Sequence, residues 1–550
     1  MTEKSSPFGI SRLFGVLKLR FGILNPHFAF VLLALGALAF VFFSPFKIIG
    51  GVLGAGALIA TLIRPASALP YLMVLVALEP FALKWIPDDL YIYARYFSEI
   101  LIYALGAGVI KQLFLKKIPF RFPPAFACVM ALAVIALISA GINETPTHVA
   151  LLGTRQILRF LVLFCAVALL NLDTARVKIL VITLFALLAF ESGLGLAQAL
   201  IGAPLDEFLL PAGRKVFADI QLTAGTDQFW ESGQRVFATM GRYDQLGTFL
   251  CFALLLAVGM LYEFRPNKSQ ITNNKSQINP NDRTSKLETV SNLKFGNYLG
   301  FGAWRLGFVF LLGIPALLLT YSRASWFGFL LGFFCIAVLV KKNKKILAAF
   351  LISLAIFSGY LLYSWGVVSH LTDAPRQTVI ERLSESLSFE RWRGEYIGLG
   401  RLYYIIYTPL KVVSSSPLFG VGPGSYGGGV AAALHYTAAY EKADVPFGIY
   451  GTEGYIDNNW FSLWGELGTL GLGAYILLFV LLARSSYRIY RSSSDPLMRG
   501  LSLGFLGVIP AVSLQAFLGT YLEVRTLALY FWLFAGVIVS YDQYENNSRS

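Results

Sequence analysis

The strongest constraint on this chain is a succession of long apolar runs. They fall at about 28–44, 48–63, 68–83, 98–115, 124–142, 150–171 and 178–199, then at 245–262, 298–320, 325–340, 346–366, 459–483, 499–519 and 526–541. Each is near the ~20 residues a helix needs to cross the hydrocarbon core of a bilayer. None alternates apolar and polar residues as a barrel strand does, so a transmembrane β-barrel is excluded. In lipid the backbone must satisfy its own hydrogen bonds, which leaves an all-α, polytopic transmembrane helical bundle. The expected number of spans is about 14, with 12 as the lower bound because the third and sixth runs are interrupted. Composition agrees: 56% of residues are hydrophobic and 14% charged, against about 25% charged in a soluble domain. That excludes a soluble globular protein, a disordered one and a string of soluble domains.

The formal charge is +14. In a soluble protein this would suggest nucleic acid; here it fits basic loops that hold one side of a membrane, and no nucleic-acid partner is expected. Lys4, Arg12, Lys18 and Arg20 precede the first run. They read as the cytoplasmic flank of an uncleaved first span, with a signal peptide as the alternative. Assigning sides alternately from a cytoplasmic N-terminus puts Arg64, Lys116, Lys117, Arg121, Arg176, Lys178, Lys341, Lys342, Lys344, Lys345, Arg484, Arg488 and Arg491 on the cytoplasmic side. Both termini are then cytoplasmic, and the expected location is the cytoplasmic (inner) membrane.

The expected organisation is a basic N-terminus (1–27), a first bundle (28–262) that includes an outer loop at 200–244, a polar cytoplasmic insertion (263–297), further transmembrane helices (298–366), a large extracytoplasmic loop (367–458) and C-terminal helices (459–541). The insertion repeats Asn-Lys-Ser-Gln-Ile at 267–271 and 274–278 and reads as a disordered, chemically silent segment. The 367–458 loop is rich in aromatics and carries an amphipathic stretch near 394–413. A connection of that length is functional or disordered, and its composition makes it the expected place for an active site. Cys128, Cys165, Cys251 and Cys335 lie in apolar runs, and His27, His148, His370 and His435 are scattered. Neither set has metal-ligand spacing, so no metal or cofactor is expected.

Arginine is the notable side chain outside the membrane. Arg235 and Arg242 lie in the first outer loop, Arg323 in the hairpin Thr320-Tyr-Ser-Arg-Ala-Ser-Trp326, and Arg376, Arg382, Arg391, Arg393 and Arg401 in the second loop. A short outer hairpin is where the positive-inside rule should exclude arginine, so Arg323 is either a snorkelling anchor or a functional group. The guanidinium fork matches phosphate oxygens bidentately and keeps its charge, which makes a lipid-linked pyrophosphate a natural partner. Arg155 and Arg159 stand one turn apart in the sixth run, either for such a substrate or paired with Glu191 of the seventh. The Gly-rich stretch 419–429 lacks the strand and the Lys-Ser/Thr ending of a nucleotide loop and reads as a tight turn. Asp457 either caps the helix that follows or acts as a general base. Glu466, nine residues on, reads as a structural contact.

Three segments in order resemble the O-antigen ligase and O-antigen polymerase family of polysaccharide-handling membrane proteins. They are Tyr321-Ser-Arg-Ala-Ser-Trp326, Pro417-Leu-Phe-Gly-Val-Gly-Pro-Gly-Ser-Tyr426 and Asp457-Asn-Asn-Trp-Phe-Ser-Leu-Trp-Gly-Glu-Leu-Gly-Thr-Leu-Gly471. Arg235-Val-Phe-Ala-Thr-Met-Gly-Arg-Tyr-Asp244 is a weaker fourth match. The resemblance implies metal-independent glycosyl transfer at the outer face of the membrane. The donor is a glycan on an undecaprenyl-pyrophosphate lipid. The acceptor is a lipid A core, a second lipid-linked glycan or another hydroxyl, and polysaccharide-assembly partners are possible. It places Arg323 and Asp457 in catalysis and Arg235 in substrate binding, for which the residue reading adds Arg242, Arg155 and Arg401 as further candidates. Asp457 stands where the family carries histidine, a departure that favours a polymerase over a lipid A ligase. The competing reading is a transporter of a small anion or of a polysaccharide precursor, for which no internal repeat speaks. A structural role in an export complex is a third.

Overall fold

A computed structural model of the chain describes residues 45–120, 122–211, 216–217, 220–221, 234–264, 303–371, 377–448 and 453–549. The first apolar run, Arg121, Arg376, most of the 263–297 insertion and much of the 200–244 loop lie outside the described residues. The chain divides into two units, Met1–Ile59 and Ala60–Ser550; the helix at the boundary is α1 (Pro45–Ile63), and everything below concerns the second unit.

In chain order the helices that follow are α2 (Pro65–Leu83), α3 (Asp88–Phe114), α4 (Pro124–Ile142), α5 (Thr147–Leu169), α6 (Thr174–Ile201), α7 (Ala203–Leu209), α8 (Tyr243–Glu263), α9 (Ala303–Leu319), α10 (Arg323–Phe334), α11 (Lys344–Tyr363) and α12 (Trp365–Val368). Then come α13 (Val379–Glu385), α14 (Phe389–Ile397), α15 (Arg401–Tyr407), α16 (Gly429–Ala433), α17 (Ala438–Lys442), α18 (Asn459–Ser492), α19 (Pro496–Leu518) and α20 (Arg525–Arg549). Each apolar run among the described residues coincides with one helix, and the interrupted runs are single helices, α2 and α5. Among the described residues, ten helices are long and apolar enough to cross a membrane, and α1 and α9 carry shorter apolar stretches. The protein is a multi-pass helical membrane bundle. A two-residue antiparallel pair, Val216–Phe217 with Ile220–Gln221, is the strand structure seen among the described residues.

The helix starts follow from local chemistry. Pro65 and Pro124 open α2 and α4, where a missing N–H costs nothing. Asp173, Asn343 and Asp495 accept backbone N–H bonds as caps of α6, α11 and α19. Burial then sorts the helices. Leu246 through Met260 of α8 are all buried, so α8 lies at the centre. α11 buries no residue and presents its apolar side chains outward, as a peripheral lipid-facing helix does. α8 and α19 touch through glycine: a Cβ on Gly259 would stand 2.2 Å from the Gly504 nitrogen. In lipid, association rests on such close backbone approach.

Charge collects at the two ends of the central helices. α8 runs from Tyr243, just after Arg242, to Glu263, and α10 starts at Arg323 and continues through a π-turn to Val340. At their far ends Glu263 accepts from Lys341 at 2.6 Å and pairs with Arg499 at 2.7 Å, while Asp542 pairs with Arg488 at 3.2 Å. The near ends meet the segment 377–458 and form the site.

Candidate functional site: a chain of ion pairs at one end of the bundle

Six residues of the 377–458 segment align with Arg323 in a row of charges. The hairpin before α10 sets Arg323 at the first helical position. Its Nη1 lies 2.9 Å from Oε1 of Glu385, the last residue of α13. Arg391 Nη1 reaches the same oxygen at 2.5 Å, and Arg382 Nη1 donates to Oε2 at 2.9 Å. One turn along α14, Glu395 Oε1 accepts from Arg391 Nη2 at 3.0 Å. Its other oxygen accepts from the Arg401 backbone N–H at 3.0 Å. The Arg401 guanidinium closes the row on Asp457. Burial alone would lower the Arg401 pKa; Asp457 and Glu395 outweigh it and raise the value, so the arginine stays charged. The short helices are locally specified. Thr378 and Glu381 form a capping box on α13, and Ser388 caps α14. The amphipathic stretch at 394–413 is broken at 398–400, and this break lets Arg401 turn back to Asp457 while Tyr404 and Thr408 pack inward.

Asp457, Asn458 and Asn459 divide their tasks. The expectation that Asp457 caps α18 is corrected: Asn458 is the cap and accepts from Trp460 N at 3.0 Å and Phe461 N at 3.1 Å. Asp457 sits one residue earlier with φ 47°, a left-handed conformation in which Asp, Asn and His are enriched. An aspartate therefore fits the backbone position that the resembled family gives to histidine. Asn459 clamps the loop between α19 and α20. Its Oδ1 accepts from Leu522 N at 2.9 Å and its Nδ2 donates to Glu523 Oε1 at 3.2 Å. Glu523 also accepts from Gly429 N at 3.3 Å, and Arg159 donates to its backbone oxygen. Burial pushes the Glu523 carboxyl up to about 7.

The Gly-rich stretch is not a simple turn. α18 breaks at Gly468 (φ 65°, ψ −169°), and the stretch at 417–424 lies along the break. Val421 N and Gly422 N donate to the carbonyls of Gly465 and Glu466 at 2.9 and 3.1 Å, and Thr469 N and Leu470 N donate to Pro417 O and Leu418 O at 2.9 and 3.2 Å. The Gly424 and Tyr426 amides donate to the Glu466 carboxylate, which is the structural contact its sequence position suggested. The loop thus supplies the hydrogen bonds that the broken helix lost, as an irregular backbone within a bundle requires.

The remaining candidates lie apart from the row. Arg155 grips Glu99 through Nε and Nη2, both at 2.5 Å, and Arg159 Nη1 lies 3.6 Å from the same carboxylate. The suggested pairing with Glu191 is corrected. Glu191 instead accepts from Thr239 N at 3.2 Å and Thr239 Oγ1 at 2.5 Å. Arg242 pairs with Asp244 at 2.9 Å, and Arg235 lies over the Tyr243 ring at 4.5 Å. Tyr521 lies within electrostatic reach of Asp244 and of Asp457. Burial first, then Asp244 and Asp457, raise its pKa well above the ordinary value. Arg401 and Asp457 are therefore joined directly, Arg323 reaches them only through Glu385, Arg391 and Glu395, Arg235 and Arg242 lie outside the row, and Arg155 belongs to a separate pair. Glu385, Glu395, Glu99 and Glu523 were not singled out from sequence. A carboxylate six residues before Arg391 carries no periodic signal across the turn between two short helices.

The fold and the site together define a polytopic membrane protein that carries its row of site charges at the end of the bundle where α10 begins. Residues 308–476 match the family model described as O-antigen ligase. The matched segment contains Arg323, the whole row of ion pairs, the Gly-rich loop and Asp457; the weaker resemblance at 235–244 lies outside it. No curated protein matches the chain.

Proposed function

We propose that the chain transfers a glycan from an undecaprenyl-pyrophosphate carrier to a hydroxyl acceptor at the outer face of the cytoplasmic membrane. The observation that carries this reading is the continuous row from Arg323 to Asp457 inside the segment that matches the O-antigen ligase model. Arg323 binds the donor diphosphate. The acceptor hydroxyl attacks the anomeric carbon, the bond from that carbon to the phosphate oxygen breaks, and its electron pair leaves with the lipid diphosphate. Arg323 stabilises the charge gained there. Asp457 takes the hydroxyl proton, with Arg401 fixing the carboxylate's orientation. The aspartate, in place of the family's histidine, favours a second lipid-linked glycan as acceptor, that is, a polymerase or exopolysaccharide enzyme.

The test is removal of the protein from its native cells. Polymer should be lost while the lipid-linked unit accumulates in the outer leaflet. Accumulation in the inner leaflet would instead assign a transport role, and unchanged polymer would remove the enzyme reading.

A further inference from the structure

We propose that α14 lies in the plane of the membrane surface, its apolar face sunk into the leaflet at the site's end of the bundle and its polar face carrying part of the row of charges. The partner is the lipid bilayer itself, a contact that the donor reading does not use.

Phe389, Trp392, Tyr396 and Ile397 stand at positions i, i+3, i+7 and i+8 of α14, which is one face of a helix. Phe389 is 63% exposed, Trp392 44%, Tyr396 39% and Ile397 64%. Arg391 and Glu395 fall on the opposite face and join the row. Arg393 interrupts the apolar face. It pairs with Glu390 at 3.6 Å, and a long arginine stem can lie along apolar surface while its charge reaches the headgroups. A helix bathed in water exposes polar residues, as α17 of the same segment does: Glu441 and Lys442 are exposed while Ala439 and Tyr440 are buried. The outward face of α14 is apolar instead, and a contiguous exposed apolar face marks a contact surface.

What covers this face follows from its neighbours. α10 with its π-turn has 18 residues and α11 has 20, about 27 and 30 Å at ~1.5 Å per residue. A short turn at 341–343 joins these two spans. They therefore run antiparallel, and the end of α11 at Tyr363 returns to the height of Arg323. α11 buries no residue and so faces lipid along its length. Tyr363 and Trp365 at its end are exposed, as the aromatic belt of a membrane interface is. α14 is tied to this end. Ser388 Oγ and Glu390 N both donate to the Ser369 carbonyl, at 3.0 and 3.2 Å, and Ser369 caps α12. The apolar face of α14 thus continues the lipid-facing surface of α11 at headgroup height. A helix with aromatic residues on one face and charge on the other suits that interface. Its inner face meets Glu385 and Arg401, so the bilayer surface sets the height at which the row stands.

The experiment reads Trp392 in the purified full chain, reconstituted into vesicles of phosphatidylethanolamine and phosphatidylglycerol. Its emission is the difference between wild type and Trp392→Phe. Lipid brominated near the headgroup end of its acyl chains should quench about half or more of that difference, as suits a face sunk about 5–10 Å into the headgroup boundary. Lipid brominated near the chain ends should quench it less, and aqueous iodide on both sides of the membrane should quench it little. Phe389→Trp and Ile397→Trp add a reporter to the same face and should behave alike. Lys442→Trp, on α17, should respond to iodide and not to brominated lipid. If Trp392→Phe does not fold, the two added tryptophans decide. Quenching of the α14 positions by iodide and not by lipid would put the face in water. Protection from both would put a second copy of the chain there. Either result would overturn the inference and leave the donor reading standing.

Discussion

Asp457, Asn458 and Asn459 show what single residues settle here. All three are good cap residues, so the sequence left the start of α18 open by two positions. Only the register of the first turn assigns the cap to Asn458 and frees Asp457 for Arg401. Asn458→Ala should therefore lower thermal stability by about 1 kcal/mol, whereas Asp457→Asn should leave it nearly unchanged. A larger stability loss from Asp457→Asn than from Asn458→Ala would reverse the assignment. Glu523 yields a pH prediction. Its folded value, about 7, stands above the ordinary 4.5, so the folded state holds the proton more tightly than the unfolded one. Stability from this group falls as pH rises from about 4.5 to about 7. The groups facing it are Gln156 and Arg159 on α5, Asn459 on α18 and Tyr455. Glu523→Gln mimics the protonated form and should flatten the melting temperature between pH 5 and pH 8, a range of about three units around the folded value; an unchanged slope would rule Glu523 out as its source.

The elements were legible to different degrees. Long helices write their apolar period into the sequence, and α2 to α6, α8, α10, α11, α18 and α19 could be read from it. The short helices α13 to α17 are positioned by ion pairs and buried tyrosines from distant segments, such as Tyr426 and Tyr440, and carry no such period. The Gly-rich loop was misread because its partner is a helix break more than forty residues on, at Gly468. Its glycines answer to that packing. Gly424 has φ 77°, and a Cβ there would meet Val149 O at 2.7 Å and Gly153 Cα at 2.9 Å. Gly424→Ala should cost about 2–3 kcal/mol from strain and overpacking, read as a lower unfolding temperature in detergent. Wild-type stability would show that the loop does not seat against α5 as described.

For the whole molecule, the helical bundle followed from hydrophobicity alone, because lipid permits few backbone solutions. The site did not, because it is assembled from residues between 323 and 457 that meet through carboxylates no local pattern marks. The orientation can be tested by fusion: a cytoplasm-active reporter after Lys345 should give signal, and after Tyr440 should not. The opposite pattern would put the row of charges on the wrong side for an outer-leaflet donor. The central claim is that Arg323 and Asp457 serve glycosyl transfer and not the fold. It is tested most directly by the length distribution of glycan from cells carrying wild type, Arg323→Lys or Asp457→Asn at equal membrane protein level. The account predicts that both variants insert and fold yet make little polymer, since lysine cannot replace a bidentate fork and asparagine cannot accept the proton at neutral pH. Asp457→His should keep some activity. Normal-length polymer from Arg323→Lys and Asp457→Asn would contradict the account and leave the row of ion pairs as a structural brace.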